Sequence, residues 1–335
     1  ISKTKSTKIY TILQKKNKKL VQSIIIIKPY KNNNNTFYYI KIYPKSEKIK
    51  INLKKIEIIK NIKNFTHIIR LHFLIGTIIP ILFGILWTLN KAKIEEVNFK
   101  IFILIIIGLI CCHISANTFN DYYDWKSKTD QLNKNYILFI TGGSRSIEIN
   151  LIKENILLLL SIINIIITII IGLYITYIKG LIIFIIGLIG IFGTYFYTAP
   201  PIKLSSRYGI GEFFHIICLG PLITLGITYS LINKIQYIDF LIGLPIGFLI
   251  TAVLLINEFS DIESDKLTKK FNLAITLGKY YFFGLKCLII IPYIIILILI
   301  IKKNISLNFI IILLTIPYTI NIIKNINKIS NNIND

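Results

Sequence analysis

The chain has 335 residues, of which 54% are hydrophobic and only 16% are charged, and its mean hydropathy is +0.66. This composition indicates that apolar and polar residues are segregated along the chain, as in a membrane protein with several spans. The net charge of +23 would suggest nucleic acid as the partner of a soluble protein. Here the lysines concentrate in an N-terminal arm and in short loops between apolar segments, which fits a bilayer with anionic lipid and excludes a nucleic-acid groove.

The first 65 residues form a basic arm that precedes the first long apolar segment. Its lysines and its run of four asparagines favour a solvated arm. Two stretches, 37–43 and 48–58, alternate apolar and polar residues around a turn at 44–47, so a small hairpin is the alternative. The first apolar run, at 24–27, is too short for the core of a secretory signal peptide, and no signal peptide is expected.

Residues 66–325 contain eight segments that approach the roughly 20 apolar residues needed to cross a bilayer. These segments run over 70–90, 100–119, 155–176, 180–198, 210–232, 238–257, 282–301 and 306–323. The sequence therefore predicts an all-α membrane bundle of eight to nine transmembrane helices, in two related four-helix halves, followed by a polar tail at 326–335. The four cysteines lie inside apolar stretches without the spacing of a zinc or redox motif, and we expect them to be core residues.

The loops that follow even-numbered spans carry most of the lysine and arginine, and they share one side of the membrane with both termini. The positive-inside rule places that side in the cytoplasm. We therefore expect an integral protein of a bacterial inner membrane, with both termini and the active site facing the cytoplasm.

Two acidic motifs close the second and the sixth span. In the first motif, four polar residues at i, i+3, i+4 and i+7 share one face of a helix: Asn117, Asn120, Asp121 and Asp124. In the second, three residues at i, i+4 and i+8 share one face: Asn257, Asp261 and Asp265. Because four crossings separate these helices, both acidic faces emerge on the same side of the membrane, where they can form one cavity.

Carboxylates this close to a bilayer are costly unless they face a polar interior, which favours a functional role over simple helix capping. Clustered carboxylates without opposing His or Cys residues are typical of hard cations held by oxygen, and Mg²⁺ commonly shares its ligands with the phosphates of a substrate. The sequence therefore predicts a site that binds a diphosphate through Mg²⁺.

The two motifs resemble the paired Asp-rich motifs of the UbiA superfamily of intramembrane prenyltransferases. The run 120–124 followed by Asp130, six residues after Asp124, is similar to the subfamily that prenylates 1,4-dihydroxy-2-naphthoate in menaquinone synthesis. Further similar segments are 142–145, 197–203, 209–212 and 257–278. The chain departs from the subfamily at Lys128, where Gly is usual, and at Phe271 and Asn272, where a Lys-Thr pair is usual, and these departures bear on the identity of the acceptor.

The resemblance implies transfer of a polyprenyl group from polyprenyl diphosphate to an aromatic acceptor, with Mg²⁺ as the cofactor. The expected metal ligands, which are also the expected catalytic acids, are Asp121, Asp124, Asp261 and Asp265. The residues expected to contact the diphosphate are Lys203, Arg207 and Arg145. Other residues expected to bind substrate, by orienting metal-bound oxygens, shielding the allylic cation or touching the acceptor, are Asn120, Asn257, Asp130, Tyr197 with Tyr195 and Phe196, and His113.

Two other functions fit parts of the pattern. A cation-coupled transporter also has acidic residues in the membrane and repeated halves. However, the acids here cluster at helix ends on one side, and no span carries an acid at its centre. Within the prenyltransferases, another quinone precursor or a non-quinone lipid such as a glyceryl ether is the alternative acceptor.

Overall fold

The structure, a computed structural model, describes residues 8–16, 19–32, 35–44, 62–92, 97–137 and 141–334. Side-chain contacts are described from residue 62 to residue 331 of these ranges. The chain divides into two compact units, Ile1–Ile59 and Lys60–Asp335.

The first unit contains a three-stranded antiparallel sheet in the order β1-β2-β3. The strands are β1 (Lys8–Lys16), β2 (Lys19–Asn32) and β3 (Asn35–Pro44). At the ends of the paired segments, Lys16 pairs with Lys19 and Asn32 pairs with Asn35. The alternating stretch 37–43 therefore lies in a strand, but that strand pairs with β2. The second stretch of the hairpin expected from the sequence, 48–58, lies outside the described residues.

Within the described residues, the second unit contains eight apolar helices that form a bundle. In chain order they are α1 (Leu71–Lys91), α2 (Phe99–Lys126), α3 (Glu154–Lys179), α4 (Leu181–Phe196), α5 (Ile210–Ile232), α6 (Tyr237–Leu267), α7 (Leu273–Ile301) and α8 (Leu307–Asn331). Each overlaps one of the eight segments expected from the sequence. The predicted helical membrane bundle is confirmed.

Seven of these helices within the described residues are long and apolar enough to cross a membrane. The remaining one, α4, has 16 residues and is about 24 Å long at 1.5 Å per residue, which is shorter than a typical hydrocarbon core. Large apolar side chains such as Ile163, Ile170 and Leu188 point outward, which suits contact with lipid tails. The protein is therefore an integral membrane protein.

Helices α5 and α6 cross with their backbones in direct contact, because glycines line the crossing. A Cβ atom added at Gly247 would lie 2.2 Å from the carbonyl oxygen of Ile216, and one added at Gly220 would lie 2.4 Å from that of Gly243. Real Cβ atoms do not approach this closely, so each position requires glycine. Small residues at helix crossings allow such close packing in membranes. This crossing fixes the register between α5 and the helix that carries the second acidic motif.

At the end of the bundle away from the acidic motifs, one buried carboxylate joins α1 to the start of α6. Asp239 is fully buried and accepts hydrogen bonds from the Trp87 indole at 2.6 Å, from the Lys91 ammonium at 2.5 Å and from the Gln236 backbone amide at 2.8 Å. A buried carboxylate with three donors is satisfied, and it anchors the packing of this end.

The loops that follow α2 contain several residues with positive φ. Lys128 has a φ of +64°, in the left-handed region that favours glycine, and it precedes the helical turn Thr129–Leu132. The usual Gly of the similar subfamily fits this conformation better than Lys does. Gly142 and Gly143 also have positive φ, at +70° and +80°, in the loop that folds back over the acidic end of α2.

Candidate functional site

The acidic ends of α2 and α6 meet and are tied together by polar contacts between the two helices and the loops that follow them. Asn133 donates to the Asp261 Oδ1 atom at 2.7 Å, and Thr129 donates to the Thr268 hydroxyl at 3.0 Å. A third contact joins Lys270 to Asp124. The two motifs singled out in the sequence therefore form one site.

A cavity of about 860 Å³ opens from this junction into the bundle. Its polar end is lined by amides, carboxylates and one ammonium group, from Asn120, Asp124, Asp130, Asn257, Asp261, Asp265 and Lys270. Its deeper walls are apolar and come mainly from α2, α3, α4, α5 and α6, including Leu109, Ile175, Ile191, Leu222 and Leu254. A polar end that continues into an apolar interior fits a molecule with an anionic head and a hydrocarbon tail.

Asp124 and Asp265 face each other across the cavity with Lys270 between them. The Lys270 Nζ atom lies 3.0 Å from the Asp124 Oδ2 atom and 3.8 Å from the Asp265 Oδ1 atom. Burial alone would lower the pKa of Lys270, but the Asp124 and Asp265 carboxylates outweigh burial and raise it, so this lysine stays charged. Asn120 donates to Asp124 at 2.9 Å, and Asn272 donates to Asp265 at 2.8 Å.

Asp121 does not line this cavity, although the sequence predicted it as a metal ligand. Its buried carboxylate pairs with the Arg70 guanidinium and accepts a hydrogen bond from the Ser144 backbone amide at 3.2 Å. Asp121 lies four residues after Asn117 on α2, and its side chain points toward Arg70, just before α1, whereas the Asp124 side chain points into the cavity. The structure thus assigns Asp121 to holding the loop at 142–145, and its metal role remains a prediction.

Asp130 is buried and lines the cavity. It lies beside the loop that contains Gly142 and Gly143, which we call the glycine loop. A Cβ atom added at Gly143 would lie 3.0 Å from the Arg70 Nη2 atom, 3.2 Å from the Asp130 Oδ1 atom and 3.3 Å from the Asp121 Oδ1 atom. These three side chains therefore converge on one glycine. Burial, followed by repulsion from Asp124 and Asp121, holds the pKa of Asp130 well above its usual value.

The carboxylate oxygens at the polar end of the cavity suit a hard cation only in combination with a bound ligand. Among the described residues, no three His, Cys, Asp or Glu side chains converge closely enough to hold a metal ion. The Asp265 Oδ1 atom is nevertheless buried without a hydrogen-bond partner, and Asp124 faces it across the cavity. Mg²⁺ is often bound through one or two carboxylates together with substrate phosphates, and this arrangement fits that mode of binding.

The basic residues predicted from the sequence lie away from the cavity wall. Arg207 is exposed and donates to the carbonyl oxygens of Ile202 at 2.8 Å and Pro201 at 3.3 Å, so it closes its own turn. Lys203 in the same turn is half-buried and does not line the cavity. Arg145 is buried and donates to the Asp130 carbonyl oxygen and to Glu148, which makes it part of the loop structure. Their contacts with a diphosphate remain predictions.

His113 lines the cavity two helical turns deeper than Asn120, as its sequence position indicated. Its Nε2 atom lies 2.8 Å from the Asn117 amide nitrogen, and its Nδ1 atom lies 2.7 Å from the Thr77 hydroxyl oxygen. Both ring nitrogens are therefore satisfied within the protein. Tyr197 also lines the cavity, whereas Tyr195 bonds to the Tyr123 hydroxyl at 3.2 Å outside it.

Several residues at the site were not identified from the sequence. Arg70 and Lys270 were indistinguishable from the other basic residues near the spans, and nothing local marks them as partners of Asp121 and Asp124. Asn272 could have been recognised, because an Asn at the start of an apolar run is a typical helix cap; it also accepts from the Ile275 amide at 3.0 Å. Other residues that line the cavity and were not predicted include His215 and Glu258.

Comparison with proteins of known sequence and structure agrees with this architecture. Residues 77–332 match the sequence model of the UbiA prenyltransferase family. Two similar proteins are named 1,4-dihydroxy-2-naphthoate octaprenyltransferase. The one from Bacillus subtilis is 29% identical over 209 residues, which are 62% of this chain and 64% of that protein. The one from Mycobacterium leprae is 24% identical over 176 residues, 52% of this chain and 57% of that protein. The chain thus matches less than two thirds of the length of these relatives.

Solved structures share the fold. A UbiA homologue from Archaeoglobus fulgidus, bound to DMAPP and Mg²⁺, superposes with a TM-score of 0.61 at 17% identity, covering 79% of this chain and 87% of that one. A digeranylgeranylglyceryl phosphate synthase superposes with a TM-score of 0.52 at 21% identity, covering 82% and 95%. The family match begins within α1, covers the other seven helices of the bundle and includes both acidic motifs. This chain belongs to the UbiA prenyltransferase family.

Proposed function

We propose that this protein transfers a polyprenyl group from polyprenyl diphosphate to 1,4-dihydroxy-2-naphthoate. The observation that carries the proposal is the cavity of about 860 Å³, whose acidic end continues into an apolar interior. The acidic end suits a diphosphate bound with Mg²⁺, and the apolar interior suits a prenyl chain. The names of the similar bacterial proteins support the naphthoate acceptor.

The residues proposed to hold the diphosphate end are those that face the cavity from both motifs. Asp124 and Asp265 would hold Mg²⁺, with Asn120, Asn257 and Asp261 orienting the oxygens around it. When bound, Mg²⁺ neutralises charge that develops on the departing diphosphate. Lys270 adds a positive charge between the motifs, so the protein itself contributes to stabilising the leaving group.

The bundle is proposed to lie in the inner membrane of a bacterial cell, with the acidic end of the cavity toward the cytoplasm. The basic loops on that side support this orientation. A soluble diphosphate headgroup would then meet the site from the aqueous phase while its tail enters from lipid.

The test is product formation by the purified full chain in lipid nanodiscs, supplied with a labelled polyprenyl diphosphate and a panel of aromatic and glyceryl-lipid acceptors. With 1,4-dihydroxy-2-naphthoate as the acceptor, we expect a labelled prenylated product. We expect no product when Mg²⁺ is chelated. Labelling of a different acceptor alone would overturn the proposed substrate. Absence of transfer to every acceptor by well-folded protein would overturn the proposed reaction.

Matched carboxyl-to-amide substitutions on α2 and α6 test whether the acidic end of the cavity is the active site. Asp265→Asn, and Asp124→Asn on α2, are expected to abolish transfer because each removes a cavity-facing carboxylate. Glu263→Gln is the control, because Glu263 is exposed and hydrogen-bonds only to Asn135, at 2.9 Å, among the contacts described for it. Equal loss of activity in all three variants would show that the acidic cavity is not the site.

A further inference from the structure

The loop between α6 and α7 contains three consecutive residues that contact three different parts of the protein. Lys270 lines the cavity, where its Nζ atom contacts a carboxylate from each acidic motif. Asn272 is buried and donates to the Asp265 Oδ2 atom at 2.8 Å. Phe271, between them, does not line the cavity, and its ring stacks on Tyr208 in the loop between α4 and α5. The lysine of the site is therefore followed directly by a residue that joins another loop.

On its N-terminal side, the backbone of Lys270 is held by the end of α6. The Lys269 amide donates to the Lys266 carbonyl oxygen at 3.2 Å, and the Lys270 amide donates to the Asp265 carbonyl oxygen at 2.8 Å. With Lys269 at a φ of +59°, these two bonds form a Schellman motif. A lysine is strained in this left-handed conformation, and helix ends fray, so the motif by itself is a weak restraint on Lys270.

A second restraint comes from the loop between α4 and α5. The Tyr208 amide donates to the Phe271 carbonyl oxygen at 2.7 Å, and Arg207 forms a parallel bridge with Phe271. The rings of Tyr208 and Phe271, which we call the ring pair, stack with their planes 6° apart and their centroids 5.4 Å apart. The next residues also meet, because a Cβ atom added at Gly209 would lie 3.1 Å from the Leu273 Cδ1 atom. The two loops are therefore joined by backbone and side-chain contacts.

The position of Phe271 is closely linked to that of Lys270. The Asn272 amide donates to the Lys270 carbonyl oxygen at 3.1 Å, so the backbone makes a three-residue turn with Phe271 at its centre. Separation of the ring pair would therefore also displace the backbone of Lys270. Tyr208 is 67% exposed, and Phe271 is the only described ring that it contacts. The ring pair thus lies at the surface and restrains the loops locally, rather than forming part of the buried core.

We propose that Tyr208 and Phe271 are positioning residues, which hold the Lys270 ammonium group between the two acidic motifs so that it contacts the diphosphate. This proposal rests on the proposed function. Neither ring touches the ligand, and both act through the backbone of Lys270. A lysine side chain is long and flexible, and it loses rotamer freedom when its ammonium group is held in one place. Restraint of its backbone reduces the number of positions that the ammonium group can occupy, and so favours its contact with the diphosphate.

The test measures the Kd of inorganic diphosphate, in the presence of Mg²⁺, for the purified full chain in lipid nanodiscs. Stacked ring pairs change an equilibrium constant by a factor of about 2 to 10, and we expect Phe271→Ala and Tyr208→Ala each to raise the Kd within this range. In prenyl transfer, kcat should fall by a similar factor while the KM of the acceptor stays unchanged. Tyr208→Phe keeps the ring and should retain the native Kd. Phe283→Ala is the control, because Phe283 is exposed on α7 and contacts no described ring.

A double-mutant cycle with Lys270→Met separates positioning of Lys270 from a general effect on the fold. Lys270→Met should raise the Kd more than Phe271→Ala does, and Phe271→Ala should then cause no further increase in the Lys270→Met protein. A native Kd in both ring-removing variants, even with a lowered Tm, would overturn the inference and leave the proposed function in place. The same conclusion would follow if Phe271→Ala raised the Kd equally with and without Lys270, or if Lys270→Met kept the native Kd. Absence of both diphosphate binding and prenyl transfer in the native protein would instead overturn the proposed function.

Discussion

Replacing Lys270 by Met removes the only described ammonium group that lines the cavity while keeping an apolar side chain of similar length. Its Nζ atom lies 3.0 Å from the Asp124 Oδ2 atom and 3.8 Å from the Asp265 Oδ1 atom. The substitution therefore leaves two carboxylates facing each other across the cavity without a cation between them. We expect the ligand-free protein to lose stability and to respond more strongly to a divalent cation.

The magnitude follows from the burial of the three side chains. Lys270 is 18% exposed, Asp124 is 15% exposed and Asp265 is 2% exposed, so the ion pair is shielded from water but not sealed from it. Exposed pairs contribute up to about 1 kcal/mol, and loss of one partner of a fully buried pair costs about 3–5 kcal/mol. We expect a loss of about 1–3 kcal/mol, with Tm falling by about 2–4 °C for each kcal/mol in a domain of this size.

Thermal unfolding of the purified protein in detergent measures both effects. Lys266→Met is the matched control, because Lys266 is exposed at the end of α6, four residues before Lys270, and its loss should leave Tm unchanged. Mg²⁺ without diphosphate should raise the Tm of Lys270→Met more than that of the native protein, since Lys270 no longer competes for the carboxylates. An unchanged Tm together with an unchanged response to Mg²⁺ would refute the assigned role of Lys270.

Three further substitutions test the architecture around the site. Lys128→Gly should stabilise the protein by about 1 kcal/mol in thermal unfolding, because glycine adopts a φ of +64° without strain. Gly143→Ala should cost at least about 1 kcal/mol and reduce turnover, because its Cβ atom would contact the Arg70 guanidinium at 3.0 Å in a left-handed conformation. Asp239→Ala should cost about 2–4 kcal/mol in thermal unfolding by leaving the Trp87 indole unpaired, while turnover per folded molecule stays unchanged.

Each of these has a control or a contrary outcome. Gly172→Ala introduces the same methyl group on α3, where nothing lies within 4 Å of the added atom, and it should not lower Tm. Destabilisation of Lys128→Gly would show that the lysine side chain contributes more than its backbone strain costs. Normal turnover in Gly143→Ala would contradict the close packing of the glycine loop. Loss of turnover per folded molecule in Asp239→Ala would contradict its assignment to the far end of the bundle.

The helices of the bundle were predictable because the signal for a span is local. Each apolar run of about 20 residues has to form helix in a bilayer, whatever its neighbours are. The hairpin in the basic arm was less predictable, since strand pairing depends on residues distant in sequence. The arm pairs β3 with β2, and alternation in 37–43 indicated only that this stretch forms a strand.

The acidic site was predictable in part. Spacing placed Asp121 and Asp124 on one broad face of α2. Both motifs end even-numbered spans, which placed them on the same side of the membrane. Spacing could not decide which carboxylate faces the cavity, because adjacent positions on a helical face differ by tens of degrees in direction. That choice depends on Arg70, 51 residues before Asp121, and on Lys270, 146 residues after Asp124.

The sequence by itself determined the membrane class, the positions of eight apolar segments and the two acidic helix ends, since hydropathy and helical spacing are properties of short segments. Only the tertiary structure decided that Asp124 faces the cavity while Asp121 faces Arg70. It also decided that α5 and α6 cross with their backbones in contact, since this depends on how Gly220 and Gly247 pack against the facing helix. Such pairings are set by packing between segments far apart in the chain, and no local pattern of residues records them.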